Sequence, residues 1–530
     1  MRNFERPGRS PAFSDKGMAA TSHPLATLTA IDVLRSGGNA MDAAVAACAV
    51  QCVVEPQSTG IGGDCFALYA PGGTDKVVAY NGSGRAPGRA KAEWFRQQGI
   101  DEITSHMPHA VTVPGAVDAW TRLIADHGTR NIGELLRPAI RLAHEGYPVH
   151  PRVASDWNLA EATIRRDPET TRIFMPGGRA ISAGSMHRQP ELGATLARIA
   201  DKGREGFYKG PVAEDIVERL NGLGGLHTLE DFASAQGEYV TPIRTRFRDH
   251  DILECPPNGQ GIIALLILNI VSELAISRGD PLSVERLHLM VEAARLAYRD
   301  RDAFIGDPAH ADAPVQRLLS EAHAATLRRD IHTDRALDKL PPVLMPAHED
   351  TIYLCVVDKD RNAVSFINSL FSSFGTGIMA PRSGVLLQNR GSGFVLEPDH
   401  PNCIAPGKRP LHTIIPGMVV KDGRAVMPFG VMGGQYQAMG HAWFLTNLLD
   451  YGLDVQEAID LPRLFPTAKG LLEVEGGIPA ASVEALARLG HRPARPAKPL
   501  GGGQAIRIDW SSGVLSGGSD PRKDGFALGY

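Results

Sequence analysis

The apolar residues of the chain form long runs typical of helices before residue 351 and shorter runs typical of strands after it. Before it, long apolar runs at Ala40–Val54 and 262–277 predict buried helices. Val284–Phe304 carries apolar residues at helical spacing and predicts an amphipathic helix. After residue 351 the apolar runs are shorter and turn residues separate them, which is typical of strands. Interleaved helix-rich and strand-rich blocks of this kind indicate sheets covered by helices.

Residues 351–367 have the local pattern of a β-hairpin. Ile352–Val357 is β-branched, aromatic and apolar, residues 358–362 are turn formers, and residues 363–367 form a second strand-like run. Thr351 therefore stands at the open end of the first predicted strand. A threonine in that place is most often only a β-former, so the pattern alone assigns it no chemistry.

Two other segments carry local predictions. Gly60-Ile-Gly-Gly63 lacks the third glycine of a dinucleotide-binding loop and follows a predicted helix rather than a strand. We therefore predict a turn there that allows close packing of the backbone. Residues 1–15 are polar and contain two prolines, so we expect a loose N-terminal tail.

The composition is that of an ordinary globular protein, and it limits the partners. Of 530 residues, 43% are hydrophobic and 22% are charged. The net charge of −4 gives no case for nucleic acid or an anionic membrane as a partner. The six cysteines are too sparse for a disulfide scaffold. No apolar run reaches the length of a membrane span and the N-terminus shows no secretory signal, so we expect a cytoplasmic protein.

Beyond these local patterns, the chain resembles a known family along most of its length. The matching residues around the hairpin are Thr351, Cys355, Val356, Val357, Asp358, Asn362, Ala363, Val364 and Phe374-Gly-Thr-Gly377. The matching residues near the N-terminus are His23-Pro24, Gly37-Gly-Asn-Ala40, Asp42-Ala-Ala44 and Gly60-Ile-Gly-Gly63. In these motifs the sequence is similar to the γ-glutamyltranspeptidase family of N-terminal-nucleophile hydrolases, from about Gly17 to the C-terminus.

The resemblance implies a fold and a maturation step. The fold would be α+β, the four-layer α-β-β-α sandwich of N-terminal-nucleophile hydrolases. The precursor would cut itself between Asp350 and Thr351. The large chain, residues 1–350, and the small chain, residues 351–530, would together make one fold. Either a single pair of chains or a dimer of such pairs is compatible with the sequence.

The chemistry of a terminal threonine explains why such a cut would matter. A threonine hydroxyl is a weak nucleophile and needs a base. A free α-amino group has a pKa of about 7.7–8.0, close to the neutral pH at which a general base is most effective. Cleavage before Thr351 would thus place the base on the nucleophile's own residue. This catalytic chemistry needs neither a metal nor an organic cofactor.

The resemblance also assigns roles around Thr351, the expected nucleophile. Ser369 matches the second hydroxyl of the family, which hydrogen-bonds the nucleophile. Gly433 and Gly434 match its glycine pair, whose backbone N–H groups can approach a developing oxyanion because no Cβ obstructs them. A simple tight turn is the structural alternative for these two glycines.

The positions that grip a γ-glutamyl group in the family have changed in this chain. The family holds the α-carboxylate with an arginine and a serine pair, and the α-ammonium with acidic and amide groups. The residues at the corresponding positions here are Ser83, Phe371, Ser392-Gly393, His412 and Thr413. Arg85 and Arg390, which fall in the same motifs, could hold a carboxylate in bidentate fashion or serve as structural ion-pair partners.

These observations predict a self-processing threonine hydrolase that acts on a small-molecule amide through an acyl-enzyme. The acyl group would be γ-glutamyl, as in glutathione, or a related acid, and it would pass to water or to an amino acid. Because the acidic acceptor for the α-ammonium is missing, our hypothesis is that specificity has moved toward an acid without the α-amine. One alternative is an amidohydrolase or acylase of the oxamate- or glutaryl-amide type on the same scaffold. Another, from a different class, is an unprocessed binding protein.

Overall fold

The computed structural model describes residues 8–277, 279–337 and 351–530. The strands in these residues are β1 (Ala12–Ser14), β2 (Met18–Ala20), β3 (Asp64–Ala70), β4 (Val78–Gly82), β5 (Tyr147–Pro148), β6 (Met186–His187), β7 (Glu238–Val240), β8 (Ile243–Phe247), β9 (His250–Glu254), β10 (Ile352–Val357), β11 (Ala363–Ser369), β12 (Met379–Ala380), β13 (Val385–Leu386), β14 (Gly417–Lys421), β15 (Arg424–Met432), β16 (Leu464–Pro466), β17 (Leu472–Val474), β18 (Pro493–Ala494), β19 (Gly502–Ile508), β20 (Leu515–Ser519) and β21 (Ala527–Gly529). The α-helices are α1 (Pro24–Arg35), α2 (Ala40–Val54), α3 (Ala92–Gln97), α4 (Ala116–His127), α5 (Ile132–Glu145), α6 (Pro151–Leu159), α7 (Glu161–Ile164), α8 (Pro168–Phe174), α9 (Pro190–Lys202), α10 (Glu205–Tyr208), α11 (Pro211–Gly222), α12 (Leu229–Ala233), α13 (Gly261–Val271), α14 (Val284–Phe304), α15 (Val315–Leu318), α16 (Glu321–Asp330), α17 (Tyr436–Leu449), α18 (Val455–Asp460) and α19 (Ala480–Arg488).

In the described residues, two seven-stranded antiparallel sheets form the centre of the molecule. One has the strand order β1-β20-β19-β15-β14-β9-β8, and the other has the order β21-β2-β10-β11-β3-β4-β7. Strands from before and after residue 351 are neighbours in both sheets: β10 pairs with β2, β11 pairs with β3, and β14 pairs with β9. Neither sheet is therefore built by one half of the chain alone.

The alternating side chains of β10 show how the layers stack. Ile352 and Leu354 join an apolar cluster formed with helices α1, α2 and α5. Tyr353 and Cys355 point the other way, into a cluster enclosed between the two sheets. The outer face of the other sheet packs against α13, α14 and α17. The predicted four-layer α-β-β-α sandwich is confirmed.

The predicted hairpin and two of the three predicted helices are confirmed. Ile352 pairs with Asn368 and Val357 with Ala363, and α2 and α14 have the expected bounds. The helix expected over 262–277 ends earlier, at Val271. Polar residues follow there, and Arg248 donates to the Ser272 carbonyl, so side chains satisfy the end of the helix.

The prediction of a loose tail over residues 1–15 is wrong for its last part. Ala12–Ser14 forms the edge strand β1, paired with β20. The Ser14 hydroxyl also donates to the carbonyl of Tyr530 at 2.6 Å. Pairing at a sheet edge uses backbone groups and does not require an apolar pattern, which is why the composition of this segment did not indicate a strand.

The glycine segment at 60–63 is the predicted close-packing turn. A Cβ on Gly62 would lie 2.2 Å from the Leu386 carbonyl oxygen, and a Cβ on Gly63 would lie 2.2 Å from the Ser369 carbonyl oxygen. The glycines are thus required by the backbone segments that lie against them. One of those segments is the end of β11, at the site described below.

All six cysteines are buried free thiols. Across the described ranges, none of the helices combines the length and the apolar character needed to cross a membrane.

Candidate active site

Thr351 and Ser369 bring their hydroxyl groups together between two neighbouring strands. Thr351 directly precedes β10, and Ser369 is the last residue of β11. The two Oγ atoms lie 3.0 Å apart, and both residues are buried. The backbone N–H of Phe371 donates to Ser369 Oγ at 2.8 Å. The predicted partnership between Thr351 and Ser369 is therefore present in the structure, and it fixes the orientation of the candidate nucleophile.

Gly433 and Gly434 form the turn between β15 and α17. Their φ angles are +122° and +56°, values that L side chains rarely adopt. Gly433 lines the same small pocket as Thr351, together with Met432 and Tyr436. In the part of the chain that the structure describes, neither glycine N–H donates a hydrogen bond. The turn thus offers two backbone donors beside the Thr351 pocket.

Three polar side chains, one just before α13 and two on α14, hold this glycine turn in place. Gln260, just before α13, donates from Nε2 to the carbonyl of Gly434 at 3.0 Å. Tyr298 and Arg301 on α14 donate to the backbone carbonyl and the side-chain oxygen of Gln435. The amphipathic helix predicted over Val284–Phe304 therefore positions the turn as well as covering the sheet.

Arg390 is fully buried beside Phe371 and Thr413. Its Nη1 donates to Thr413 Oγ1 at 2.8 Å, and its guanidinium carbon lies 3.8 Å from the centroid of the Phe371 ring. Phe371 has a φ of +81°, an outlier for a bulky residue of the kind that concentrates at functional sites. Arg390 and the exchanged positions Phe371 and Thr413 thus form one contiguous group.

His412 forms a buried pair with Asp64, the first residue of β3. His412 Nε2 lies 3.0 Å from Asp64 Oδ2, and the N–H of Ile414 donates to His412 Nδ1 at 3.3 Å. Since Nδ1 accepts, Nε2 carries the hydrogen and donates to the carboxylate. Burial, followed by the nearby charge of Arg390, lowers the pKa of His412 to about 4, so the imidazole is neutral at neutral pH.

Asp64 connects this pair to the nucleophile's strands through its backbone, which pairs with β11. Asp64 pairs in register with Ser369 and also accepts hydrogen bonds from Gly115 N–H and Gln388 Nε2. Sequence reasoning did not select Asp64, Gln388 or Gln260. Asp64 directly follows the glycine turn at 60–63, and this position is the sequence feature that could have identified it as a site residue.

A continuous series of contacts joins six of the predicted residues. From Thr351 it passes through Ser369, Phe371, Arg390 and Thr413, whose carbonyl accepts a hydrogen bond from Gln260 on the way back to Gly434. Gly433 therefore lines the Thr351 pocket directly, whereas Arg390 is connected to Thr351 through Phe371 and Ser369.

Arg85 does not belong to this series. It is half-buried, donates to the Gly407 carbonyl at 3.0 Å and lies 3.9 Å from Asp307. Its side chain lines a separate cavity of about 940 Å³ with Arg204 and Arg409. Arg85 is thus better described as a structural ion-pair partner than as a residue that holds substrate beside Thr351. The other predicted cleavage residue, Asp350, lies outside the described residues.

The pocket at Thr351 is small and basic. Its volume is about 10 Å³, and Arg152, Lys498 and Lys523 contribute to its lining. Arg152 is itself paired with Asp156 at 2.9 Å. The lining of the pocket therefore carries three basic side chains, one of them in an ion pair.

The layered fold and the buried threonine at a strand start define a hydrolase of the N-terminal-nucleophile class. The sequence profile described as Gamma-glutamyltranspeptidase matches residues 26–530, and the chain belongs to that family. The predicted family membership is thereby confirmed, as is the prediction of an enzyme.

Relatives of this chain carry several different activities in their names. It is 37% identical over 522 residues to the glutathione hydrolase-like YwrD proenzyme of Bacillus subtilis, covering 97% of this chain and 98% of that one. It is 34% identical over 536 residues to the oxamate amidohydrolase proenzyme of Klebsiella pneumoniae, covering 98% and 99% of the two chains. The crystal structure of cephalosporin acylase from Bacillus halodurans superposes with a TM-score of 0.93 at 38% identity, covering 100% and 99%.

Proposed function

We propose that this protein is a self-processing amidohydrolase whose nucleophile, Thr351, is released by cleavage after Asp350. The observation that carries the proposal is the 3.0 Å contact between the Thr351 and Ser369 hydroxyls beside the glycine turn. The related Bacillus and Klebsiella proteins are named proenzymes, which supports a precursor that is cut. The large chain would end at residue 350 and the small chain would begin at residue 351.

The arrangement accounts for each step of amide hydrolysis. Thr351 Oγ bonds to the amide carbon while its proton passes to the free α-amine of the same residue. The carbonyl oxygen, now negative, lies against the N–H groups of Gly433 and Gly434. When the C–N bond breaks, the α-ammonium returns its proton to the departing amine and an ester remains on Thr351. Water attacks this ester in the same manner and releases the acid.

The acyl group in this proposal bears a carboxylate and lacks an α-amine. Arg390 supplies a buried positive charge, and Thr413 and Phe371 hold it. A guanidinium binds a carboxylate with two charge-assisted hydrogen bonds and repels an ammonium. Ser392 and Gly393, which stand where the family has acidic residues, offer no negative charge to an α-amine.

The names of relatives support this choice without deciding it. Oxamate has no α-amine, and an oxamate amidohydrolase is among the relatives. The second candidate is hydrolysis or transfer of a γ-glutamyl group of the glutathione type, which the name of the Bacillus subtilis relative favours. The relatives are named as enzymes, which argues against an unprocessed binding protein.

Two measurements test the proposal separately. Intact mass after incubation at neutral pH tests processing: two chains are expected, the second beginning at Thr351, and a single uncut chain of 56.8 kDa would contradict it. The processed enzyme is then compared on glutaryl-p-nitroanilide and γ-glutamyl-p-nitroanilide, which differ only in the α-amine. We expect kcat/KM to be at least about tenfold higher for the glutaryl substrate. A preference for γ-glutamyl would sustain the second candidate instead.

A further inference from the structure

A group of metal-binding side chains lies apart from the site described above. His288 and Glu292 stand four residues apart on one face of α14, and His491 follows α19. All three side chains are largely or completely buried. One nitrogen of each histidine and one carboxylate oxygen lie within 4.8 Å of one another.

The hydrogen bonds of His288 show where its lone pair points. His288 Nε2 lies 2.7 Å from the carbonyl oxygen of His332, which can only accept, so Nε2 carries the hydrogen. The lone pair of Nδ1 therefore faces His491 Nε2, 2.8 Å away. A single proton is shared between two imidazole nitrogens at this place.

We propose that His288, Glu292 and His491 bind a divalent cation of the zinc type. The ion takes the place of the shared proton, with His288 Nδ1, His491 Nε2 and a Glu292 oxygen as ligands and water in the fourth position. Zinc–nitrogen bonds of about 2.0–2.1 Å in tetrahedral geometry separate the two nitrogens by about 3.3 Å. The rings need to move apart by about 0.5 Å, starting from 2.8 Å.

The groups around the three side chains are those that orient metal ligands in proteins. The His332 carbonyl fixes the ring and tautomer of His288. Glu292 accepts from Arg295 Nη1 at 2.8 Å and from Leu337 N–H at 2.5 Å. A carboxylate has about four lone-pair sites, so these bonds hold it in place and leave capacity for a metal.

The position of the proposed ion indicates which segments it would hold together. Residues 331–337 are attached here to two helices: His332 contacts His288, Leu337 contacts Glu292, and Ala336 N–H donates to the Leu489 carbonyl. The same helix α14 carries Tyr298 and Arg301, which hold the glycine turn. The ion would thus stiffen the support of the active site from a distance. This role is independent of the acyl specificity proposed above.

The test is metal content and thermal stability of the full-length purified protein. After dialysis against EDTA, the protein is incubated with Zn²⁺ or Mg²⁺, desalted and analysed by plasma mass spectrometry. We expect about one zinc per chain, no retained magnesium, and a Tm higher by about 2 °C or more with zinc. His288→Gln and His491→Gln should each lower zinc content at least about tenfold. The matched control is His310→Gln, a histidine outside the group, which should retain zinc.

Cobalt substitution provides a second measurement if a variant folds poorly. Tetrahedral Co²⁺ bound to imidazole and carboxylate gives visible absorption bands, which the wild-type protein should show and His491→Gln should lack. Wild-type protein that holds less than about half an equivalent of zinc would overturn the inference. So would folded His288→Gln and His491→Gln variants that both retain zinc.

Discussion

The guanidinium carbon of Arg390 lies 3.8 Å from the ring centroid of Phe371, and this contact joins the buried cation of the site to one of its exchanged positions. Phe371 makes this contact with a backbone φ of +81°, a value that bulky residues rarely adopt. Its N–H meanwhile donates to Ser369, the partner of the candidate nucleophile. The cation and the nucleophile are thus linked through one strained residue.

The first prediction concerns the nucleophile itself. Thr351→Ala should abolish both processing and hydrolysis, since no hydroxyl remains to attack the carbonyl. Thr351→Ser should keep both at a reduced rate. Gel electrophoresis and intact mass after incubation report processing, and anilide release reports hydrolysis. Normal cleavage of the Ala variant would exclude Thr351 from the maturation step.

The second prediction compares two arginines. Arg390→Met should lower kcat/KM for a glutaryl anilide about 10- to 100-fold, the value of a lost hydrogen bond between charged groups. Arg85→Met is the matched control and should change it less than about threefold, because Arg85 lines the separate cavity. If the two variants lose activity equally, or if only the Arg85 variant does, the assignment of the carboxylate to Arg390 is wrong.

The third prediction concerns the glycine turn. A Cβ on Gly433 would lie 2.8 Å from the Gly501 Cα, and the φ of +122° opposes any side chain. Gly433→Ala should therefore displace the N–H donors and lower kcat about 10²- to 10³-fold. Gly452→Ala also strains a positive φ but meets no atom within 4 Å, so it controls for strain alone. Comparable kinetic losses in the two variants would argue against an oxyanion role.

The fourth prediction concerns pH and stability. The pKa of His412 is about 4 in the folded protein, against an ordinary value of 6.5, so the unfolded chain binds the proton more tightly. The free energy of unfolding should therefore be largest above pH 6.5 and fall as pH decreases from 6.5 toward 4. One fully buried histidine contributes about 3 kcal/mol to this loss.

His412→Gln tests the share of this one residue, because a glutamine Nε2 can still donate to Asp64. Denaturant unfolding between pH 4 and 7 should show a shallower loss of stability than in the wild-type protein. His187 and His227, whose pKa values are also lowered to about 4 by burial, keep part of the slope in both proteins. An unchanged slope would mean that His412 does not titrate as proposed.

Much of the architecture could be predicted from local patterns. The alternation over Ile352–Val357 and the turn formers after it fix the hairpin, and the apolar run Ala40–Val54 fixes α2. These elements depend on residues that are close in sequence. Strand β1 could not be predicted, because it is held by pairing with β20 from the other end of the chain.

The site was predictable to the extent that it lies on recognisable motifs. Thr351 contacts Ser369, and Gly433 of the glycine pair lines the pocket at Thr351. The pairing of His412 with Asp64 was not predicted, because it joins residues 348 positions apart and depends on how the two sheets stack. The sequence made Arg85 and Arg390 equally good candidates for carboxylate binding. Their burial and contacts in the structure distinguish the two.

The interleaving of strands from both sides of residue 351 determines how a cleaved product would stay together and refold. If the peptide bond before Thr351 is broken, β10 and β11 still lie between β2 and β3, and each piece holds the other by complete backbone ladders. Such a product would be a heterodimer with interleaved strands, whose two chains were never separate folded subunits. Once denatured, the cleaved product would have to refold in a bimolecular reaction. The precursor, by contrast, folds as one continuous chain.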